Sequence, residues 1–196
     1  MSMGAKKRIK SILLYGVMAL YIILLFILLL FGYSSPIGGF GGIRGGHRSL
    51  NVVPFRTISA FFRRIWRTMR LPGSDAINNI FGNVVVFIPC GMYVAILRKN
   101  KGILASLLCV FPTSLFFELL QFIFARGACD IDDIILNCLG GLVGILVYKG
   151  LVYFMKDEEK ARSAVAVCSV IIGVPTFAFI LKGIIQLFLD LGAFHV

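Results

Sequence analysis

Five apolar runs, each about as long as a helix needs to cross a bilayer, alternate along this chain with short basic clusters. They lie near residues 11–32, 77–97, 102–124, 131–154 and 163–191. A helix rising about 1.5 Å per residue needs about 20 apolar residues to cross about 30 Å of hydrocarbon. Lipid offers no partner to an open backbone N–H or C=O, so each run must close its hydrogen bonds within itself. The expected fold is therefore all-α, a polytopic membrane bundle of about five transmembrane helices forming a single membrane domain over residues 1–196. The runs take up more than half of the 196 residues, which excludes a large extramembrane domain. Only 15% of residues are charged, against about 25% in a soluble domain.

The formal net charge is +11, a value that would raise nucleic acid as a partner for a soluble protein. Here the positive charges fall in loops, where anionic headgroups and membrane topology account for them, and no nucleic acid is expected. Lys6, Lys7, Arg8 and Lys10 precede the first run, which is longer than the core of a cleaved signal peptide. This reads as a retained first span with a cytoplasmic N-terminus and an outer C-terminus. Cys90, Cys109, Cys129, Cys138 and Cys168 include no C-x-x-C pair and suggest neither a disulfide framework nor a zinc site. The glycine-rich stretch 34–49 fits no phosphate-binding pattern and reads as a flexible loop.

Between the first two spans, Phe55, Ile58, Phe62, Ile65, Trp66 and Met69 recur at helical spacing. Arg56, Arg63, Arg67 and Arg70 gather on the opposite arc. This predicts an amphipathic helix over 55–69 lying in the membrane interface, with Trp66 and the other rings in the acyl boundary and the arginines among phosphates. A helix packed on the bundle with a solvated basic face is the alternative.

Ionisable groups inside spans are costly and mark functional hypotheses. Counted from the outer ends of their spans, Asn83, Glu118, Asn137 and Lys182 share a layer about 9–13 Å deep. Above them come Gln121, Arg126, Asp130 and Asp133. Asp130, Asp133, Asn137, Gly140 or Gly141, and Gly144 follow one helical ladder, and the glycines point that ladder toward another helix. Interhelical hydrogen bonds, with Glu118 paired to Lys182, would explain the same residues without a ligand. Glu118, Asp130 and Asp133 together suit a divalent cation or general acid–base work, so they are the candidate catalytic residues. Arg126 suits a phosphate. The expected ligand-binding set is thus Asn83, Glu118, Gln121, Arg126, Asp130, Asp133, Asn137 and Lys182. His47 and His195 are read as solvated.

An internal echo joins Ile77-Asn78-Asn79-Ile80-Phe81-Gly82-Asn83 to Ile131-Asp132-Asp133-Ile134-Ile135-Leu136-Asn137 at an offset of 54. It reads either as a parallel repeat or as two helices opened by similar polar caps.

Several of these residues belong to a longer ordered series: Asn51-Val52-Val53-Pro54-Phe55-Arg56-Thr57-Ile58, then Asn83-Val84-Val85-Val86-Phe87-Ile88-Pro89-Cys90-Gly91. Glu118-Leu119-Leu120-Gln121, Arg126, Asp130-Ile131-Asp132-Asp133, Asn137-Cys138-Leu139-Gly140 and Gly144 follow. In order and spacing the series resembles the VanZ family, named for a teicoplanin-resistance protein of Gram-positive bacteria. The resemblance covers roughly residues 51–148 and extends over the first four helices. Cys90 stands where the family more often has an aliphatic residue. The fifth span carries no family motif, so Lys182 enters by depth alone. The resemblance implies a multi-pass protein of the bacterial cell membrane, linked to low-level glycopeptide resistance without change to the D-Ala-D-Ala target. It implies no established reaction.

Two readings follow. One is a non-enzymatic envelope protein binding an anionic lipid or lipid-linked cell-wall precursor in an outward-facing polar pocket. The other is a membrane-embedded enzyme acting on a lipid-linked headgroup through the carboxylates, with or without a divalent cation. A small transporter is third and would require a homo-oligomer.

Overall fold

The computed structural model describes residues 3–31, 50–69, 74–98, 102–124 and 129–193. In chain order these form α1 (Met3–Phe31), β1 (Leu50–Asn51), α2 (Arg56–Thr68), α3 (Ser74–Leu97), α4 (Ile103–Ile123), β2 (Cys129–Asp130), α5 (Ile131–Met155) and α6 (Glu158–Ala193). Five of the helices are long and apolar enough to cross a membrane: residues 11–29, 79–97, 103–123, 131–155 and 158–183 supply the spans. The protein is an all-α, multi-pass membrane protein.

The chain divides into two compact units, one of residues 1–45 with 157–196 and one of residues 46–156. In the first, α1 packs on α6. Leu14, Val17, Leu24, Leu25 and Leu29 are its buried residues, recurring at helical intervals along one side of α1. On α6 the small Ala161 and Ala166 are buried with Val165. This helix begins five residues before the expected 163, because Asp157 caps it. Asp157 Oδ1 accepts from the Glu159 and Lys160 N–H groups at 2.8 and 3.2 Å. A polar first turn does not end a helix when a cap satisfies its free N–H groups.

The second unit holds α2 to α5 and the short parallel pair β1–β2, in which Leu50 faces Cys129 and Asn51 faces Asp130. Its tightest packing joins α3 to α5. Helices gain nothing by burying apolar surface away from apolar lipid, so close backbone approach at small residues must supply the attraction. Gly140, Gly141 and Gly144 are buried on α5. A Cβ at Gly140 would strike the Val84 carbonyl, and one at Gly144 the Ile88 carbonyl. From the other side, a Cβ at Gly91 on α3 would strike the Gly141 carbonyl. Val110 of α4 fills the space beside Gly141, and the Phe117 ring meets Phe87 edge-on at 6.5 Å.

The two echoing segments belong to this α3–α5 pair, and the asparagine of each reaches a neighbouring helix, Asn83 by hydrogen-bonding the Asp133 side chain of α5. Asn83 Nδ2 donates to Asn79 Oδ1 at 3.2 Å, one turn back on its own helix. Asn137 Nδ2 donates across to Ser114 Oγ of α4 at 3.0 Å.

Candidate functional site

The site begins where α5 begins. Asp130 is the N-cap of α5 in extended conformation, and its Oδ1 accepts the Asp132 N–H at 2.9 Å. The same Oδ1 takes Asn51 Nδ2 at 2.9 Å, and its Oδ2 takes Thr57 Oγ1 at 2.8 Å. Asp130 therefore ties the start of α5 to β1 and to the first turn of α2. Asp132 completes the clasp. Its Oδ1 accepts the Phe55 N–H, while its Oδ2 accepts the Thr57 and Ile58 N–H groups at 2.6 and 3.2 Å. These are free N–H groups at the start of α2, where a carboxylate also meets the positive end of the helix dipole. Phe55 sits at φ 63°, a left-handed conformation that costs a residue with a Cβ about 1–2 kcal/mol. The Asp132 bond holds it there.

One layer inward the carboxylates have a different setting. Glu118 is 3% exposed, and its Oε2 accepts the Asp130 N–H at 3.3 Å. The Asp133 carboxylate lies close enough to repel that of Glu118 and is hydrogen-bonded by the Asn83 side chain. Asp133 Oδ1 is buried and meets no donor among the described residues. One turn further in, Asn137 is 1% exposed; its amide nitrogen bonds Ser114, and its Oδ1 meets no donor among the described residues. Gln121 is buried one turn outward of Glu118 on α4. At the rim, burial pushes the Cys129 thiol above its ordinary pKa, and the Glu118, Asp130 and Asp133 carboxylates push it further. A thiol so placed stays protonated and inert.

The described carboxylates thus divide by role. Asp130 and Asp132 are taken up by the clasp, whereas Glu118 and Asp133 lie close to one another and Asp133 Oδ1 is left without a donor among the described residues. Asn83 bonds Asp133, and Asn137 lies one turn from Asp133 on α5. Arg126 and Arg70 lie outside the described residues. Lys182 lies on α6, in the other compact unit, and is exposed. Asn51, Thr57, Ser114 and Asp132 were not among the expected site residues. The signal for Asp132 was an acid in the first helical turn, but one residue of helix turns it about 100° from Asp133 and so off the ladder. Among the described residues no group of three or more His, Cys, Asp or Glu side chains is arranged to hold a metal ion.

Alongside the clasp, α2 divides its surface three ways. Phe61 is buried, with Ile58 and Ile65 half-buried beside it. Phe62, Trp66 and Met69 are exposed, Trp66 at 81% and Met69 at 85%. Arg56, Arg63 and Arg67 are exposed on the remaining arc. One apolar edge thus packs inward, and the other is exposed beside the arginines.

A family model described as VanZ/LLP1 matches residues 18–155, from within α1 to the end of α5. The chain belongs to the VanZ family. Protein VanZ of Enterococcus faecium is 36% identical over 138 residues, which cover 70% of this chain and 74% of that protein. No solved structure matches the chain. The VanZ match takes in the clasp, the Glu118–Asp133 layer and the α3–α5 glycines. It stops before α6, which carries Lys182.

Proposed function

We propose that this VanZ-family protein binds the phosphate-bearing headgroup of an anionic lipid or lipid-linked cell-wall precursor. The pocket lies at the outer end of α3–α5, and through it the protein contributes to low-level, teicoplanin-type glycopeptide resistance. The observation that carries this reading is the buried Glu118 beside the half-buried Asp133, whose Oδ1 meets no donor among the described residues, set near an amphipathic helix whose Arg56, Arg63 and Arg67 are exposed. Polar groups are expensive inside a membrane, and here their bonding capacity exceeds what the fold uses. The arginines attract phosphate, each basic residue near an anionic surface contributing about 1 kcal/mol. Arg126 belongs to the same proposed pocket from the α4–β2 connection. The Glu118–Asp133 juxtaposition also favours a second reading, a membrane-embedded enzyme in which one carboxyl of the pair holds a proton and serves as general acid.

Native mass spectrometry of gently solubilised full-length protein tests the binder. A phosphate-bearing lipid should be retained by the wild type and largely lost from Asp133→Asn, with the thermal transition unchanged. Protein that carries no lipid at all would end this reading.

The proposed orientation puts the N-terminus in the cytoplasm, so the pocket opens outward. A cysteine placed at Gly45 should react with an impermeant thiol reagent on intact cells, and one at Asn100 should not. The reverse pattern would turn the site to the cytoplasmic face.

A further inference from the structure

We infer that α2 is a docking surface for the anionic lipid leaflet in which α5 begins, with Phe62, Trp66 and Met69 among the acyl chains and Arg56, Arg63 and Arg67 on the headgroup phosphates. This goes beyond the pocket reading, because such a surface takes bulk lipid whatever the pocket holds. The clasp sets its height. Asp130 and Asp132 stand at the start of α5, whose residues 131–155 supply a membrane span. They bind Asn51, the Thr57 hydroxyl and the backbone N–H groups of Phe55, Thr57 and Ile58. The first turn of α2 is therefore held at the end of a span, where hydrocarbon gives way to headgroups. With 13 residues, α2 is about 20 Å long and too short to cross about 30 Å of hydrocarbon itself.

The faces of α2 suit that height. Ile58, Phe61 and Ile65 form the arc that packs inward. Phe62, Trp66 and Met69 follow directly beside it and are 61%, 81% and 85% exposed. Leu50, Val52, Val53 and Phe55, which lead into the helix, are exposed as well. Large apolar side chains grouped at a surface mark a membrane or partner contact, and tryptophan favours the headgroup boundary. Charge selects the occupant. Residues 50–69 carry Arg56, Arg63, Arg64 and Arg67 and no Asp or Glu. Counted at about 100° per residue, Arg56, Arg63 and Arg67 lie opposite the packed arc, free to reach sideways to phosphates through their planar forks. A second copy meeting this face about a two-fold axis would set arginine against arginine. An anionic leaflet satisfies both the rings and the charges.

Trp66 is the single tryptophan of the chain, so its fluorescence reports α2 directly. The full-length protein is reconstituted in bilayers of equal phosphatidylcholine and phosphatidylglycerol, with one of the two lipids brominated in its acyl chains. Bromine near the headgroup end of the chain should quench Trp66 more than bromine near the methyl end. Brominated phosphatidylglycerol should quench about twofold more than brominated phosphatidylcholine, since basic residues near the surface gather anionic lipid. The double variant Arg63→Gln, Arg67→Gln should bring the two lipids toward equality while Trp66 stays quenched. Trp66 quenched by aqueous acrylamide and by neither brominated lipid would overturn the surface. Trp66 shielded from both acrylamide and brominated lipid would mean that protein covers this face, and would overturn lipid as its occupant. Equal quenching by the two lipids in the wild type would overturn the anionic preference. The wild-type comparison decides the matter even if the variant fails to fold. Retained lipid is not part of this readout, so the pocket reading and this one can fail separately.

Discussion

Asp132→Ala should free the N-terminal turn of α2 from the bundle and destabilise the protein by about 3 kcal/mol, more than any other carboxylate change near the site. The carboxylate is wholly buried and accepts three backbone N–H groups from residues 55–58. Hydrogen bonds to a charged group contribute about 1.5–3 kcal/mol each. The full sum is not expected, because residues 55–58 are at least partly accessible and water replaces some of the lost bonds. Phe55 would also lose the bond that holds it in the left-handed region. Thermal unfolding in detergent measures the loss, and tryptic cleavage at Arg63 and Arg67 should accelerate several-fold as α2 detaches. Asp132→Asn keeps one acceptor oxygen and should fall between. Cleavage at the wild-type rate in Asp132→Ala would show that the clasp does not position α2. Asp133→Asn provides the contrast, since it touches none of these bonds and should leave cleavage unchanged.

Adding a single methyl group at Gly144 should cost about 2–3 kcal/mol, although alanine is the better helix former. The new Cβ would overlap the Ile88 carbonyl, which belongs to backbone and cannot rotate away, so α3 and α5 must move apart. Gly140→Ala meets the Val84 carbonyl in the same manner. The two sites share one interface, so the double variant should not behave additively, the first separation having already relieved the second clash. Gly150→Ala is the control: nothing lies within 4 Å of its added Cβ, and it should be neutral or slightly stabilising. The midpoint of thermal aggregation for the three single variants checks the set. A Gly144→Ala protein as stable as Gly150→Ala would mean that the helices are not in backbone contact there.

These two predictions depend on features that were unequally visible in the amino-acid order. The glycines at 140, 141 and 144 fall on the polar ladder of α5, so helical geometry alone assigns them to an inward face. Which helix they meet was not legible, because a small residue announces close approach without naming its partner. Asn51 and Thr57 lie more than 70 residues before Asp130 and Asp132 in the sequence, and no periodicity links them. Their bonds exist because β1 runs parallel to β2 and brings the α2 N-terminus over the start of α5.

The sequence by itself determined the membrane class and the five spans, and it set the position of each polar residue along its helix. Span length and the cost of exposing backbone to lipid permit few alternatives. The tertiary structure decided how the carboxylates divide their work. Asp130 and Asp132 hold α2, while Asp133 lies close to Glu118 and keeps one buried oxygen without a donor among the described residues. The reason is directional: depth along a helix is a one-dimensional quantity, but a hydrogen bond depends on which way a side chain turns and on what the rest of the chain has placed within about 3 Å of it.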